Sequence, residues 1–468
     1  MLHAKMPLNF SNSYQIMYIK ELTLKNFRSF SEVSIPFVDE KHSDQPSKTV
    51  VFIGNNGAGK TAILDALKIN LSWLVARINR DKGRGIEIAD TDIQNGQTFA
   101  TIETQLDYDN ARYNWQLAKT LKGRIKTTGV NLSDTSKLAY VFRKQLTEDA
   151  SNANLPLIVY YPVERTVLDI PLKLVTRHNF EQLDGYENAL QGVDFRRFFE
   201  WFRDREDNEF ELKLQEIKPH VEQFILHKQL GEMGEDFISF TNRIILSAQD
   251  HQLKAVRTAI KTFMTDFDNL RILRKPRLQM LVEKNGNTLD VAQLSQGEKS
   301  MMALVGDIAR RLAMMNPALE NPLEGFGIVM IDEIDLHLHP NWQRAIVGNL
   351  NRTFPNCQFV LTTHSPIVIS ESPNLLCYSL NNGELQKLDN LYGMDVNQVL
   401  LQDMDAGIRN AEIQQAFDDL RDTLQEGRLS DAKGLLDELE QKIAIDNLEL
   451  SKAKLLIKRL EAQRAANH

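Results

Sequence analysis

The stretch Gly54-Asn55-Asn56-Gly57-Ala58-Gly59-Lys60-Thr61 fits the pattern G-x-x-x-x-G-K-[S/T] at every fixed position. A short β-rich run at 49–53 precedes it, and leucines at helical spacing follow it within 62–76. A strand, a glycine-rich loop and a helix form the context in which such a loop binds phosphates. The stretch therefore predicts a P-loop and an α/β nucleotide-binding fold.

Each residue type in this loop has a physical role in holding ATP. Lys60 is expected to reach the β- and γ-phosphate oxygens, and the Thr61 hydroxyl is expected to bind Mg²⁺. Glycines let backbone N–H groups approach the phosphates, and the helix start adds favourable partial charge. The other nucleotide contacts predicted within the loop are Asn55, Asn56, Gly57, Ala58 and Gly59.

A second stretch far downstream, Leu294-Ser295-Gln296-Gly297-Glu298-Lys299-Ser300, resembles the signature segment of ABC-type ATPases. In those proteins the segment begins a helix and caps the γ-phosphate held by another subunit. The resemblance predicts that Ser295, Gly297 and Glu298 contact ATP bound to a second copy of the chain. The P-loop and this segment together predict an ATP-dependent, head-to-head dimer.

Two apolar runs downstream of the signature, at 327–331 and 358–362, predict buried parallel strands, and each is followed by polar residues. Asp332 is expected to hold Mg²⁺, and Glu333 to orient the attacking water. His364 resembles the switch histidine that touches the γ-phosphate, and Asp335 stands where a D-loop would connect two sites. Glu333, Lys60 and His364 are the predicted catalytic residues.

Two assignments stay open on the sequence. His337 and His339 form an H-x-H pair that could bind zinc, but no third ligand is evident nearby, so structural or interface roles are favoured. The Q-loop residue, which would couple ATP to the rest of the protein, has three candidates: Gln94, Gln97 and the region of Glu164.

Composition restricts the class of protein. The 468 residues are 42% apolar and 25% charged, and the net charge of −8 argues against the whole molecule enclosing DNA electrostatically. Local basic clusters, such as that around Arg274, are interpreted as solvated faces rather than phosphate contacts. With two cysteines, no secretory segment and no apolar run long enough for a bilayer, we expect a cytoplasmic protein without a membrane partner.

Changes in composition and hydrophobic periodicity divide the chain into four predicted parts. Residues 17–180 form the first part of an ATPase head, with the P-loop and antiparallel strands, and 181–268 form a compact helical insert. Residues 269–390 complete the head with the signature, the Asp332 strand and His364, and 391–468 form a helical tail for oligomer or partner contact. Most aromatic residues of the segment 195–202 are interpreted as core or interface rather than a base-stacking platform.

The order of these motifs resembles the SMC, RecF, Rad50 and OLD group of ABC-type ATPases. The strand around Asn26-Phe27-Arg28-Ser29-Phe30 is similar to the first strand of that group, and the segment Asp332 to Pro340 is similar to the form found in RecF- and OLD-like members. The resemblance implies an ABC-type P-loop head with a mixed sheet and an antiparallel β subdomain. The interval before the signature is too short for a long coiled-coil arm.

Within that group the chain most resembles PtuA, the ATPase family of the Septu anti-phage systems, which is also found with some retrons. The stretches that carry this resemblance begin at Tyr160, Phe198 and Tyr392. The family implies a separate HNH-type nuclease partner, PtuB, and the tail after His364 offers no pattern of an intrinsic nuclease. Two alternatives remain at this stage: a RecF-like clamp acting on DNA without a nuclease partner, and a regulatory ATPase that assembles through its tail.

Overall fold

The computed structural model describes residues 16–38, 46–126, 128–164, 180–192, 195–229, 249–381, 383–395, 411–443 and 448–466. The chain forms two compact units, Met1–Met394 and Asp395–His468.

The strands, in chain order, are β1 (Met17–Phe27), β2 (Phe30–Pro36), β3 (Thr49–Gly54), β4 (Phe99–Tyr108), β5 (Ala111–Thr120), β6 (Leu157–Tyr161), β7 (Phe267–Leu273), β8 (Gln279–Lys284), β9 (Asn287–Asp290), β10 (Gly327–Ile331), β11 (Cys357–Thr362), β12 (Leu376–Asn381) and β13 (Glu384–Leu388). The helices are α1 (Lys60–Asn79), α2 (Ser133–Glu148), α3 (Phe195–Gln229), α4 (His251–Phe263), α5 (Gln296–Met315), α6 (Pro340–Thr353), α7 (Pro366–Ser370), α8 (Ala411–Gln425), α9 (Leu429–Lys442) and α10 (Leu448–Ala466).

A six-stranded sheet with the order β13-β12-β3-β11-β10-β6 forms the centre of the first unit. All of its neighbouring strands run parallel except the edge pair β12–β13. Every residue of β3, β6, β10 and β11 is buried, which explains their continuous apolar sequences. The sheet is mixed, as predicted, and the carboxyl ends of its parallel strands share one edge.

Helix α1 lies between this sheet and an antiparallel sheet with the order β2-β1-β4-β5. Asn70 of α1 is fully buried and donates a hydrogen bond to the Ile102 carbonyl of β4, while the Trp115 indole of β5 donates to the Asn70 carbonyl. These bonds satisfy polar groups that would otherwise be costly to bury. They fix the P-loop helix against the antiparallel subdomain.

A third sheet, β7-β8-β9, immediately precedes the signature helix α5. Its β8–β9 hairpin turns at Asn285 and Gly286, which both have positive φ as a two-residue hairpin turn requires. An Asn-Gly pair between two strand-like runs predicts a turn of this kind from the sequence alone, and the structure confirms it. Helix α4 packs on both α5 and β7, so the hairpin and the signature helix belong to one packed region.

The aromatic segment of α3 belongs to the core. Phe198, Phe199, Trp201 and Phe202 are each fully buried, which confirms the core interpretation and leaves no exposed ring face for stacking bases. Gly306 of α5 faces the Phe198 ring so closely that an added Cβ would lie 2.8 Å from it. Helices α3 and α5 are therefore packed at close range.

Helix α2 and the strands β12 and β13 were not anticipated from the sequence. Helix α2 packs against α1 and β5. Strand β12 pairs in parallel with β3, which makes it a direct neighbour of the P-loop strand. The edge strand β13 shows an alternating burial pattern, because one of its faces points to solvent.

The second unit contains α8, α9 and α10 around a small apolar core. Its buried residues are Phe417, Leu420, Leu424, Ala432, Leu436, Leu439, Leu450 and Ile457. Leu436 and Leu439 therefore occupy the core that their helical spacing predicts, whereas Leu455 is 72% exposed. Among the described residues of the whole chain, no helix has both the length and the apolar character required to span a bilayer.

Candidate functional site

The P-loop turns sharply at the carboxyl end of β3. Gly54 has a φ of 143°, and a Cβ there would lie 2.3 Å from the Leu380 carbonyl oxygen of β12. Gly59 has a φ of 110°, and a Cβ there would lie 2.8 Å from the Phe30 ring. Both positions require glycine, because a side chain would meet both steric contact and an unfavourable backbone conformation.

Lys60 is 6% exposed, and its ammonium group donates hydrogen bonds to the carbonyls of Gly54 (2.8 Å) and Asn55 (3.2 Å). Burial lowers the pKa of Lys60, an effect opposed by the nearby carboxylates of Glu333, Asp332 and Asp335. The Lys60 ammonium group therefore lies against the P-loop, where it would also contact the phosphates.

Asp332 is 1% exposed at the end of β10 and accepts hydrogen bonds from two hydroxyl groups. Thr61 Oγ1 donates to Asp332 Oδ2 at 2.9 Å, and Thr362 Oγ1 donates to Asp332 Oδ1. Mg²⁺ prefers oxygen ligands of this kind. The Thr61 and Asp332 oxygens therefore fit a magnesium ion, and these two residues would hold it beside the phosphates.

Glu333 takes a positive φ of 46° immediately after β10, a conformation that is uncommon for a residue with a Cβ. Its backbone N–H donates to Thr362 Oγ1 at 2.7 Å, and the next N–H, of Ile334, donates to the Thr362 carbonyl. The Glu333 Oε1 atom lies 4.0 Å from Nε2 of His364. The chain turn thus brings the predicted catalytic carboxylate beside the predicted switch histidine.

Asp335 anchors the loop that carries His364. Its Oδ1 atom accepts hydrogen bonds from Thr363 Oγ1 at 2.6 Å and from the His364 backbone N–H at 3.3 Å. Gln343 of α6 lies against the same two loops, bonded to backbone carbonyls after Glu333 and to the Ser365 hydroxyl. Asp335 and Gln343 therefore join two loops of one chain: residues 335–338, here called the D-loop, and residues 363–365, here called the histidine loop.

The signature segment begins α5 with a capping box. Ser295 Oγ accepts the Glu298 backbone N–H at 3.3 Å, and Glu298 Oε2 accepts the Ser295 N–H at 2.9 Å and its hydroxyl at 2.8 Å. Lys284, at the end of β8, forms an ion pair with Glu298. Burial raises the pKa of Glu298, but the hydrogen bonds from Lys284 and Ser295 outweigh it and lower that pKa below its usual value.

Gly297 and the H-x-H pair contact each other through the backbone. A Cβ on Gly297 would lie 2.5 Å from the His337 carbonyl oxygen, so the signature helix sits directly on the loop after Glu333. His339 caps α6, because its Nδ1 atom accepts the Asn341 N–H. Among the described residues, no group of three or more His, Cys, Asp or Glu side chains could hold a metal ion.

The Q-loop candidates occupy two different places. Gln94 lies on an exposed loop and donates to Ser31 Oγ at 3.1 Å, close to Ser29, which neighbours Gly59. Gln97 donates its backbone N–H to the Gln94 carbonyl. Glu164 follows β6, whose last residue accepts the backbone N–H of Asp332, so Glu164 leaves the sheet at the same edge as Asp332. Arg165 lies outside the described residues.

A buried charged cluster that was not predicted connects α5 to β6, the strand that pairs with β10. Asp307 is fully buried between Arg310 and Arg311 and accepts a hydrogen bond from the Tyr161 hydroxyl at 2.9 Å. Burial raises the pKa of Asp307, but the two arginines outweigh it and lower the pKa overall. Arg311 also donates to the Gly185 and Glu187 carbonyls.

Sequence reasoning missed Gln343 and Thr362 because their partners belong to other loops and strands, and it missed the Lys284 pair and the Asp307 cluster although Glu298, Arg310 and Arg311 lie nearby in the chain. Only the paired arginines within an otherwise apolar α5 pattern carried a signal, since two charges on a buried helical face call for an acidic partner. Several arginines of the proposed basic clusters are engaged in structure. Arg274, for example, pairs with Asp207 and Glu206.

Comparison with known proteins places these features in a family. The family model described as "AAA ATPase domain" matches residues 17–369. The Retron Vc95 probable ATPase of Vibrio cholerae is 35% identical over 376 residues, which cover 75% of this chain and 71% of that protein. The Retron Ec83 probable ATPase of Escherichia coli is 33% identical over 400 residues, covering 78% of this chain and 72% of that protein.

A shorter match joins the chain to the Septu group. The Septu protein PtuA of Bacillus mycoides is 45% identical over 142 residues, which cover 30% of this chain and 19% of that protein. The resemblance drawn from the sequence, to RecF-like ATPases related to PtuA, is confirmed. The chain belongs to the AAA ATPase domain family, together with the probable ATPases of retrons.

Proposed function

We propose that this ATPase binds Mg-ATP between two copies of the chain and uses the closed dimer to control a separate nuclease. Lys60 binds the β- and γ-phosphates, and Thr61 and Asp332 hold Mg²⁺. Glu333 accepts a proton from the attacking water, and His364 contacts the γ-phosphate. Ser295 and Gly297 of the second copy complete the site.

The signature segment is the observation that carries the dimer proposal. Ser295 stands at the exposed start of a 20-residue helix and is hydrogen-bonded to Glu298. Glu298 also forms an ion pair with Lys284 of the preceding hairpin. None of these contacts involves the P-loop. A helix start attracts anions through its free N–H groups and its dipole, so an exposed one is suited to a phosphate supplied from outside the chain.

A mixing experiment tests the dimer. Lys60→Ala removes the phosphate-binding cation, and Ser295→Arg blocks the signature surface, so each variant alone should lack turnover. A mixture of the two should regain activity, because one of the two composite sites in a mixed dimer contains neither substitution. ATPase activity is measured against the mixing ratio. A mixture that stays as inactive as its components would contradict a site shared between copies.

Glu333→Gln tests the chemical step. The amide keeps the shape of the side chain but cannot take the proton of water, so turnover should fall by roughly 10² to 10⁴. ATP should then accumulate on the protein, with the dimer population rising in size-exclusion chromatography. Normal turnover by this variant would show that Glu333 is not the base.

The proposed output is control of an HNH-type nuclease, the partner that the Septu resemblance implies. The match to a Septu protein PtuA and to probable ATPases of retrons supports a place in a similar defence system. Co-purification from the native host with a tagged chain tests this, and a small HNH protein is the expected companion. Recovery of the chain with DNA but without any nuclease would favour the RecF-like alternative. We also propose that the protein acts in the cytoplasm.

A further inference from the structure

We infer that Gln343 is a positioning residue. It fixes the position of the D-loop relative to the histidine loop, so that Asp335 and His364 act together. The inference rests on the roles proposed above for these two residues. Gln343 stands in the first turn of α6, and its side chain lies between the two loops at partial exposure.

Both ends of the Gln343 amide are used. Its Nε2 atom donates to the Leu338 carbonyl at 3.0 Å and to the Asp335 carbonyl at 3.4 Å. Its Oε1 atom accepts the hydroxyl hydrogen of Ser365 at 2.8 Å. A primary amide supplies donors and an acceptor at once, which neither a carboxylate nor an ammonium group can do.

The loop that Gln343 holds also touches the signature helix. His337 lies between the two carbonyls that Gln343 binds, and its own carbonyl contacts Gly297. On the other side, Asp335 binds the Thr363 hydroxyl and the His364 backbone N–H. The D-loop therefore contacts both His364 and Gly297. His364 would contact the ATP bound by its own chain, and Gly297 would contact the ATP bound by the partner copy.

The pair Gln343 and Ser365 allows the inference to be tested by a double-mutant cycle. Gln343→Met keeps the length of the side chain and removes every hydrogen bond, and Ser365→Ala removes the bond from the other loop. Loss of a hydrogen bond of this kind should lower kcat by roughly tenfold. The KM for ATP should change little, because the P-loop contacts of Lys60 are untouched.

The double variant Gln343→Met/Ser365→Ala should be no slower than the slower single variant, since both substitutions break one connection. Arg344→Met is the matched control. It removes an exposed ion pair with Glu371 from the next position of α6 and should keep wild-type kcat.

Three results would overturn the inference: Gln343→Met matching Arg344→Met in kcat, strictly additive effects in the double variant, or a rise in KM that accounts for the whole loss. The Ser365→Ala arm reports on the same connection if Gln343→Met folds poorly. Wild-type turnover and its loss in Glu333→Gln are measured alongside, so failure of the ATPase proposal is recognised separately.

Discussion

The P-loop and the signature segment both open a helix, yet their polar groups find partners in different ways. Thr61 meets Asp332 from a strand far along the chain, and Gly54 touches the β12 carbonyl of Leu380. Ser295 bonds with Glu298 three positions later, and Glu298 pairs with Lys284 of the adjoining hairpin. One region is assembled by the tertiary fold, and the other is largely completed by its neighbours in sequence.

We propose from this difference that the two regions have separate roles in binding one ATP. The P-loop edge collects Lys60, Thr61 and the carboxylates of Asp332 and Glu333 within one chain, so we propose that a single copy holds Mg-ATP there. The signature segment is held by its own capping box, and Lys284 offsets the negative charge that Glu298 would otherwise present to a triphosphate. It therefore suits a surface that docks on a phosphate already bound elsewhere.

We expect the largest loss of ATPase activity when the P-loop lysine is replaced. Lys60→Ala removes the ammonium group that faces the phosphates, and such electrostatic contacts are worth roughly 10² to 10³ in rate. ATP affinity should fall together with turnover, measured by titration of a fluorescent ATP analogue. The matched control is Lys68→Ala on the same helix, which removes a partly exposed pair with Asp65 and should leave affinity unchanged.

The next effect concerns the buried charged cluster that joins the signature helix to β6. Asp307→Asn leaves Arg310 and Arg311 buried without a carboxylate, and breaking a buried ion pair in this way costs about 3 to 5 kcal/mol of unfolding free energy. Tyr161→Phe removes only the hydroxyl and should cost about 1 kcal/mol. Chemical denaturation measures both, and equal losses in the two variants would show that the charges contribute nothing beyond the hydroxyl bond.

Asp307 also predicts an acid response. Because the pKa of Asp307 is lowered in the folded protein, its stabilisation is present above the unfolded value of about 3.9 and is lost as the pH falls below it. The midpoint denaturant concentration should therefore fall as the pH drops through this range. Asp307→Asn should show a shallower fall, and an unchanged slope in that variant would assign the acid response to other groups.

We expect the smallest effect on turnover from replacing Lys284, which pairs with Glu298 of the signature segment. Lys284→Met removes the cation from Glu298 and leaves the capping box in place, so the repulsion between Glu298 and an approaching phosphate is no longer offset. We expect turnover to fall roughly fivefold, about 1 kcal/mol, as for other partly exposed pairs. Glu298→Gln in the same variant should restore much of that loss, because glutamine can still cap the helix without a charge.

If Lys284→Met/Glu298→Gln stays as slow as Lys284→Met, charge on Glu298 is not the reason for the loss. ATP binding to the P-loop of the variant serves as the control, since Lys284 lies outside that loop and binding should match wild type.

Local spacing was enough to predict the parallel strands, the Asn285-Gly286 turn and the residues that the structure collects at the sheet edge. Lys60, Thr61, Asp332, Glu333 and His364 all belong to short motifs whose backbone context is local. Helix α2 and the strands β12 and β13 escaped notice because their patterns are short or strongly polar, and their formation depends on packing against α1 and β3.

Residues adjacent in the chain are enough to define the kind of site, because phosphate loops, apolar strands ending in carboxylates and helix caps all depend on local sequence. Only the tertiary structure decided that Thr362 supports both Asp332 and Glu333, that Gln343 joins two loops, and that Asp307 meets Tyr161. These contacts join residues far apart in the chain. They form when the sheet order brings separate strand ends together, and no local pattern encodes that order.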